Sequence, residues 1–108
     1  MTTRVKVNAP ICDHEAEITV QESEEGLDIR IITDCKSVQH YSEVLRSVTK
    51  DEVMDLKGSP IIDKASDTGL TATCLIPTAV FNACWLEMGM ISKGMARSRP
   101  KMCIEFIE

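Results

Sequence analysis

Apolar and polar residues alternate along the first third of the chain. Val5 and Val7 are interleaved with Arg4 and Lys6, a short opening strand that Asn8-Ala9-Pro10 stops. From Cys12 onward Ala16, Ile18 and Val20 alternate with Glu15, Glu17, Thr19 and Gln21, the period of a strand buried on one face. Glu22-Ser-Glu-Glu-Gly26 reads as a turn, and Leu27, Ile29 and Ile31 continue the alternation in a second long strand. A tip at Ser23-Glu24 would set Val20 opposite Leu27, Ile18 opposite Ile29 and Ala16 opposite Ile31, with all six on one side.

The period then changes to that of helices. Asp34 is a candidate N-cap for a helix carrying Val38, Tyr41, Leu45 and Val48 as its apolar stripe. Thr49-Lys-Asp-Glu52 has the form of a capping box and opens a short helix through Leu56. Ser59-Pro60 starts another, with serine as cap and proline at the first helical position, ending near Gly69. The longest helix is predicted from about Cys74 or Pro77 to Ile91, with Phe81, Cys84, Met88 and Ile91 on one face. After a basic loop (Lys93, Arg97, Arg99, Lys101), Met102, Ile104 and Phe106 alternate with Cys103 and Glu105 in a closing strand. This order predicts one α+β domain over residues 1–108, a mainly antiparallel sheet of N-terminal strands plus a C-terminal strand, packed against several helices.

Composition narrows the class. Hydrophobic residues are 44% and charged residues 27% of the chain, a globular balance. The net charge of −5 argues against general nucleic-acid binding, which needs clustered Lys and Arg. No apolar run approaches the ~20 residues that span a bilayer, and Met1-Thr-Thr-Arg-Val-Lys-Val lacks the core of an export signal, so a cytoplasmic protein is expected, with no membrane partner. The five cysteines are an odd number, unlike a disulfide framework, and form no CxxC pair. In a reducing compartment they serve as metal ligands, reactive thiols or small core residues.

Three of them can be argued onto one site. Carried to its open end, the expected hairpin register sets His14 opposite Thr33 and Cys12 opposite Cys35. Opposed Cβ atoms lie about 4.5–5.5 Å apart, close enough for two thiols to share a ligand. Cys35 and Cys74 each fall at a predicted helix start, where unpaired N–H groups and the helix dipole favour the thiolate. Cys84 sits mid-helix on an apolar stripe and reads as core. Cys103, beside Glu105, reads as a half-exposed thiol without function, and His40 as an exposed helix residue.

The segments Pro10-Ile-Cys12, Thr33-Asp-Cys35 and Thr73-Cys74 resemble, in order and spacing over roughly residues 8 to 92, the N-terminal domain of iron–sulfur scaffold proteins of the IscU/NifU type. There a Pro-x-Cys leads into a hairpin, a second Cys ends it and opens a helix, and a third Cys begins a long helix. The resemblance implies an IscU/NifU-like fold and a nascent iron–sulfur cluster or zinc ion held by Cys12, Cys35 and Cys74, with a sulfur donor or recipient apo-protein as partner. The chain departs from that pattern in several places. The family's Cys-Gly-Asp is Cys12-Asp13-His14, so Asp13 stands one place early and His14 takes the acidic position. Glycines flanking the second Cys are Asp34 and Lys36, the His before the third Cys is Thr73, and the chaperone-recruiting Leu-Pro-Pro-Val-Lys is missing. Cys74-Leu-Ile-Pro77 is also similar to a Cys-x-x-Pro shared by a group of small uncharacterised proteins from archaea and anaerobic bacteria.

The expected function is therefore a metal or iron–sulfur cluster binding protein, a scaffold or carrier, with His14 or Asp13 completing four ligands. His14 shares the strand face of Cys12 in the expected register. Two other classes fit the same residues: a thiol-redox protein with a Cys12/Cys35 pair attacked by Cys74, and a non-catalytic interaction module with core cysteines. No Ser/His/Asp set, phosphate loop or paired-carboxylate constellation supports a hydrolase or kinase.

Overall fold

The computed structural model describes residues 2–108. The three alternating segments form strands β1 (Thr2–Ala9), β2 (His14–Ser23) and β3 (Gly26–Thr33), followed by helix α1 (Lys36–Val44) and a two-residue strand β4 (Ser47–Val48). A 3₁₀ turn (Asp51–Val53) leads to helices α2 (Pro60–Asp67), α3 (Ile76–Glu87) and α4 (Lys93–Ser98). The sheet is antiparallel, in the order β1-β2-β3-β4. Helices α1 and α3 pack on it, and α2 packs on them, so the molecule is an α+β domain with one polar sheet face left open.

Period-2 patterning assigned the faces correctly. Ala16, Ile18 and Val20 of β2 and Leu27, Ile29 and Ile31 of β3 are all buried, in one core with Val38 and Tyr41 of α1, its C-cap Leu45, and Val80, Ala83 and Cys84 of α3. The register, however, is shifted by two residues from the expected one. Ile18 pairs with Ile31 and Val20 with Ile29, because the hairpin closes at Ser23↔Gly26 with Glu24-Glu25 as its loop. Gly26 explains the shift. It has φ 151°, and a side chain there would collide with the carbonyl oxygen of Val48 in β4. The glycine is spent on the close approach of the edge strand rather than on the tip.

Helix boundaries moved for equally local reasons. The Thr49–Glu52 capping box forms in both directions, Thr49 N donating to Glu52 Oε1 (2.8 Å) and Glu52 N to Thr49 Oγ1 (3.3 Å). It caps only the 3₁₀ turn, and no helix continues to Leu56. Val48 belongs to β4, not to the stripe of α1. Ser59 caps α2 as expected, its Oγ accepting from Ile61 N at 3.3 Å. The basic stretch is in part helical, as α4, capped by Ser92. The expected closing strand is absent: residues 101–108 pair with no strand and are exposed throughout.

Helix α3 ties the layers together. Its buried face is Ile76, Pro77, Val80, Ala83, Cys84 and Glu87; of the expected stripe Cys84 lies on it, Phe81 and Met88 pack half-buried against the core, and Ile91 lies beyond the helix. Glu87 is buried, and both carboxylate oxygens are engaged. Thr3 Oγ1 donates to one at 2.8 Å, and the backbone N–H of Glu22 to the other at 2.9 Å. This fixes the C-terminal end of α3 to the end of the sheet where β1 begins and β2 finishes.

Candidate functional site

The opposite end of the sheet carries the cysteines. β1 turns into β2 through residues 10–13, with Cys12 N bonded to Ala9 O (3.0 Å) and Asp13 N to Pro10 O (3.1 Å). Asp13 takes φ 58°, an uncommon value that Asp tolerates better than most residues, so its role is to close this turn. Cys12 is exposed on it. β3 ends at the same edge, and Cys35 follows as the N-cap of α1. Its side chain makes no cap bond, while its own N–H donates to Thr33 Oγ1 at 3.1 Å. A 12-residue helix is about 18 Å long, so α3, pinned by Glu87 at the far end, starts near this edge, two residues after Cys74.

Each expected site residue can now be placed. Cys35 and Cys74 are half-buried and pack against the core, whereas Cys12 and Asp13 face solvent. The route that was to join Cys12 to Cys35 does not hold. With Ala16 opposite Thr33, the register carried onward aligns His14, not Cys12, with Cys35, and Cys12 belongs to a turn rather than a strand. The three cysteines nonetheless occupy one region. Burial raises the Cys74 thiol above its ordinary pKa, the nearby Ile76 N–H opposes this, and charge on Cys35 and Cys12 raises it further. This corrects the expectation of an acidified Cys74: the half-buried sulfur loses more to desolvation than the helix start returns. Among the described residues no three His, Cys, Asp or Glu side chains already stand close enough to hold a metal ion. The thiols are neighbours, not a preformed chelate.

Asp34, expected as the cap of α1, acts elsewhere. Its Oδ1 accepts from Glu15 N (3.3 Å) and lies 3.3 Å from His14 Nδ1. The bond from the Glu15 backbone is the main cause that holds the Asp34 carboxyl below its ordinary pKa, and His14 adds to it. A carboxylate at Nδ1 makes that nitrogen the donor and leaves Nε2 as the lone-pair nitrogen, the way metal-ligating histidines are commonly oriented. His14 and Asp34 border an open concavity on the polar sheet face, together with Asp13, Lys6 and Asn8. Sequence reasoning missed the role of Asp34 because the partner lies on another strand. The signal available was its place across the hairpin end from His14 and Glu15.

The other two cysteines are elsewhere. Cys84 is fully buried, and burial pushes its thiol up to about 12. Cys103 is exposed in the segment that lacks a strand, and His40 is exposed on α1 as expected. Among the described residues no helix is long and apolar enough to cross a membrane.

No curated protein and no solved structure matches the chain. One family model does, over residues 3–98, a span that takes in all of the sheet but Thr2, all four helices and Cys12, Cys35 and Cys74, and leaves out the final segment. The chain belongs to that family, a family of unknown function designated DUF6951.

Proposed function

We propose that the protein binds a thiophilic metal ion or an iron–sulfur cluster at the end of its sheet, as a carrier or scaffold. The observation that carries this reading is the approach of Cys12, Cys35 and Cys74 from three separate segments: a hairpin turn, a helix cap and the residue before Leu75, the cap of α3. Charge on Cys35 and Cys12 opposes ionisation of Cys74, and a bound cation would reverse that cost. The donor chemistry suits the group: three thiolates would hold it, with His14, oriented by Asp34, or Asp13 as the fourth ligand. Two of the sulfurs are anchored at helix starts, and the third sits on an exposed turn. They form no ready-made chelate, so binding would have to draw them together. A sulfur donor or a recipient apo-protein is the partner this role requires. All five cysteines are free thiols, in keeping with a reducing, cytoplasmic setting.

A thiol-redox role has less support, since its attacking thiol would be Cys74, which burial keeps protonated. The test is metal and sulfide content after anaerobic purification, with and without reconstitution by iron and sulfide or by zinc. Wild type and Cys84→Ser should load alike and Cys35→Ser should not. Equal loading of wild type and Cys35→Ser removes the metal reading.

A further inference from the structure

Residues 101–108 are the part of the chain that the fold leaves unused. Met102, Ile104, Phe106 and Ile107 are 79%, 68%, 75% and 88% exposed, four large apolar side chains within eight residues. The family match ends before them. Three of the four alternate with Cys103 and Glu105, the pattern of a strand with one apolar face. The sheet offers a matching vacancy. β1 is an edge strand of eight residues paired only with β2, so alternate backbone groups along it lack a strand partner, whereas the other edge, β4, has two residues.

We infer that the segment 102–107 of a second copy of this chain adds to β1 as a fifth strand, and that two copies exchange these segments reciprocally. The side chains of β1 and of the segment complement each other. Thr3, Val5 and Val7 face the core under α3, and Arg4 and Lys6 face the open side of the sheet. An antiparallel strand with Ile104 beside Val7 and Phe106 beside Val5 extends the apolar layer. It also sets Glu105 beside Lys6 on the polar face, while Arg4 is engaged by Glu17. A second copy is the better donor of this strand. Within its own chain the segment is exposed and pairs with no strand, β1 included. Reciprocal exchange between two copies can set the segment antiparallel, the more stable ladder, and covers the β1 edge of each copy.

The experiment is sedimentation equilibrium of the full chain under reducing conditions, so that Cys103 cannot cross-link, combined with amide hydrogen exchange. The expected result is a concentration-dependent dimer with protection of both β1 and 102–107. Ile104→Asp should weaken it at least tenfold. Lys6→Glu and Glu105→Lys should each weaken it, and the double reversal should restore it. A monomer whose segment exchanges freely overturns the inference, as does a monomer with a protected segment, which means docking in the same chain. A dimer indifferent to Ile104→Asp overturns it by assigning the contact to another surface. A dimer that needs Ile104 but leaves β1 unprotected does so too, assigning the contact to the apolar groove lined by Val53, Met54, Leu56, Phe81 and Trp85.

Discussion

The two ends of the sheet are bridged by one helix and built from opposite chemistry. At the end where β1 begins, Glu87 of α3 is buried, and each carboxylate oxygen has a donor, from Thr3 and from the Glu22 backbone. At the other end, Cys74 precedes the same helix, and burial together with charge on Cys35 and Cys12 makes its own ionisation harder. The first end is a closed polar contact: everything buried there is satisfied within the chain. Elsewhere, too, among the described residues, no buried side-chain nitrogen or oxygen lacks a partner. The cysteine end is the exception in kind. Cys12 is exposed and Cys35 and Cys74 are partly exposed, all three are free thiols, and at the same end of the sheet Asp34 orients His14. On the proposed reading, this is the end at which an ion would bind.

Several measurements can break that contrast. The largest effect should come from Glu87→Ala, which leaves the buried Thr3 hydroxyl and the part-buried Glu22 N–H without their acceptor and frees the end of α3. Denaturant unfolding should show a loss of about 3 kcal/mol, while the folded fraction still loads metal. Cys84→Ser should cost about 2 kcal/mol through a buried hydroxyl in place of a core thiol, again with loading intact. If Cys84→Ser instead abolishes loading at retained fold, the division between packing and site cysteines is wrong.

The alkaline limb of stability sharpens the same division. The Cys84 thiol is raised by burial from 9.0 to about 12, so the folded state keeps its proton where the unfolded chain gives it up. Its contribution is complete below pH 9 and is lost as pH rises from there toward 12, at about 1.4 kcal/mol per pH unit. Tyr41, also raised by burial, adds to the loss above its ordinary 10.0. Unfolding curves taken across this range should flatten in Cys84→Ala; an unchanged slope would show that another group titrates.

The faces of the strands were legible in the sequence, but their register was not. A two-residue slip keeps every side chain on its face, so alternation cannot distinguish Ile18 opposite Ile29 from Ile18 opposite Ile31. Only the tertiary approach of Val48 to Gly26 decides it. Caps formed from nearby residues were readable where no distant group competed, as at Ser59 and the Thr49–Glu52 box. Asp34 was misread because a neighbouring strand supplied it with better partners. The alternation of Met102, Ile104 and Phe106 was real, yet a strand also needs an edge, which residues 101–108 do not reach within their own chain. Glu87 was overlooked although its signal was present: it continues the stripe Val80, Ala83, Cys84, and a carboxylate on such a stripe needs buried donors. For the site, the order of the cysteines was readable, and the physical route between Cys12 and Cys35 was not.

The smallest effect concerns the His14–Asp34 pair. Asp34→Asn should leave stability essentially unchanged, since the carboxylate is exposed, but lower zinc affinity about tenfold by loosening the His14 ring. An unchanged affinity would take His14 out of the ligand set and leave Asp13 as the fourth donor.

The central claim is that Cys12, Cys35 and Cys74 act as one set, and anaerobic titration with cobalt(II), read by its sulfur-to-metal charge-transfer absorption, tests it most directly. The account predicts one ion per chain, with serine at Cys12, Cys35 or Cys74 each removing much of the band and serine at Cys84 or Cys103 removing none. A band of equal intensity in wild type and in all three site variants, or no band in wild type, would contradict it.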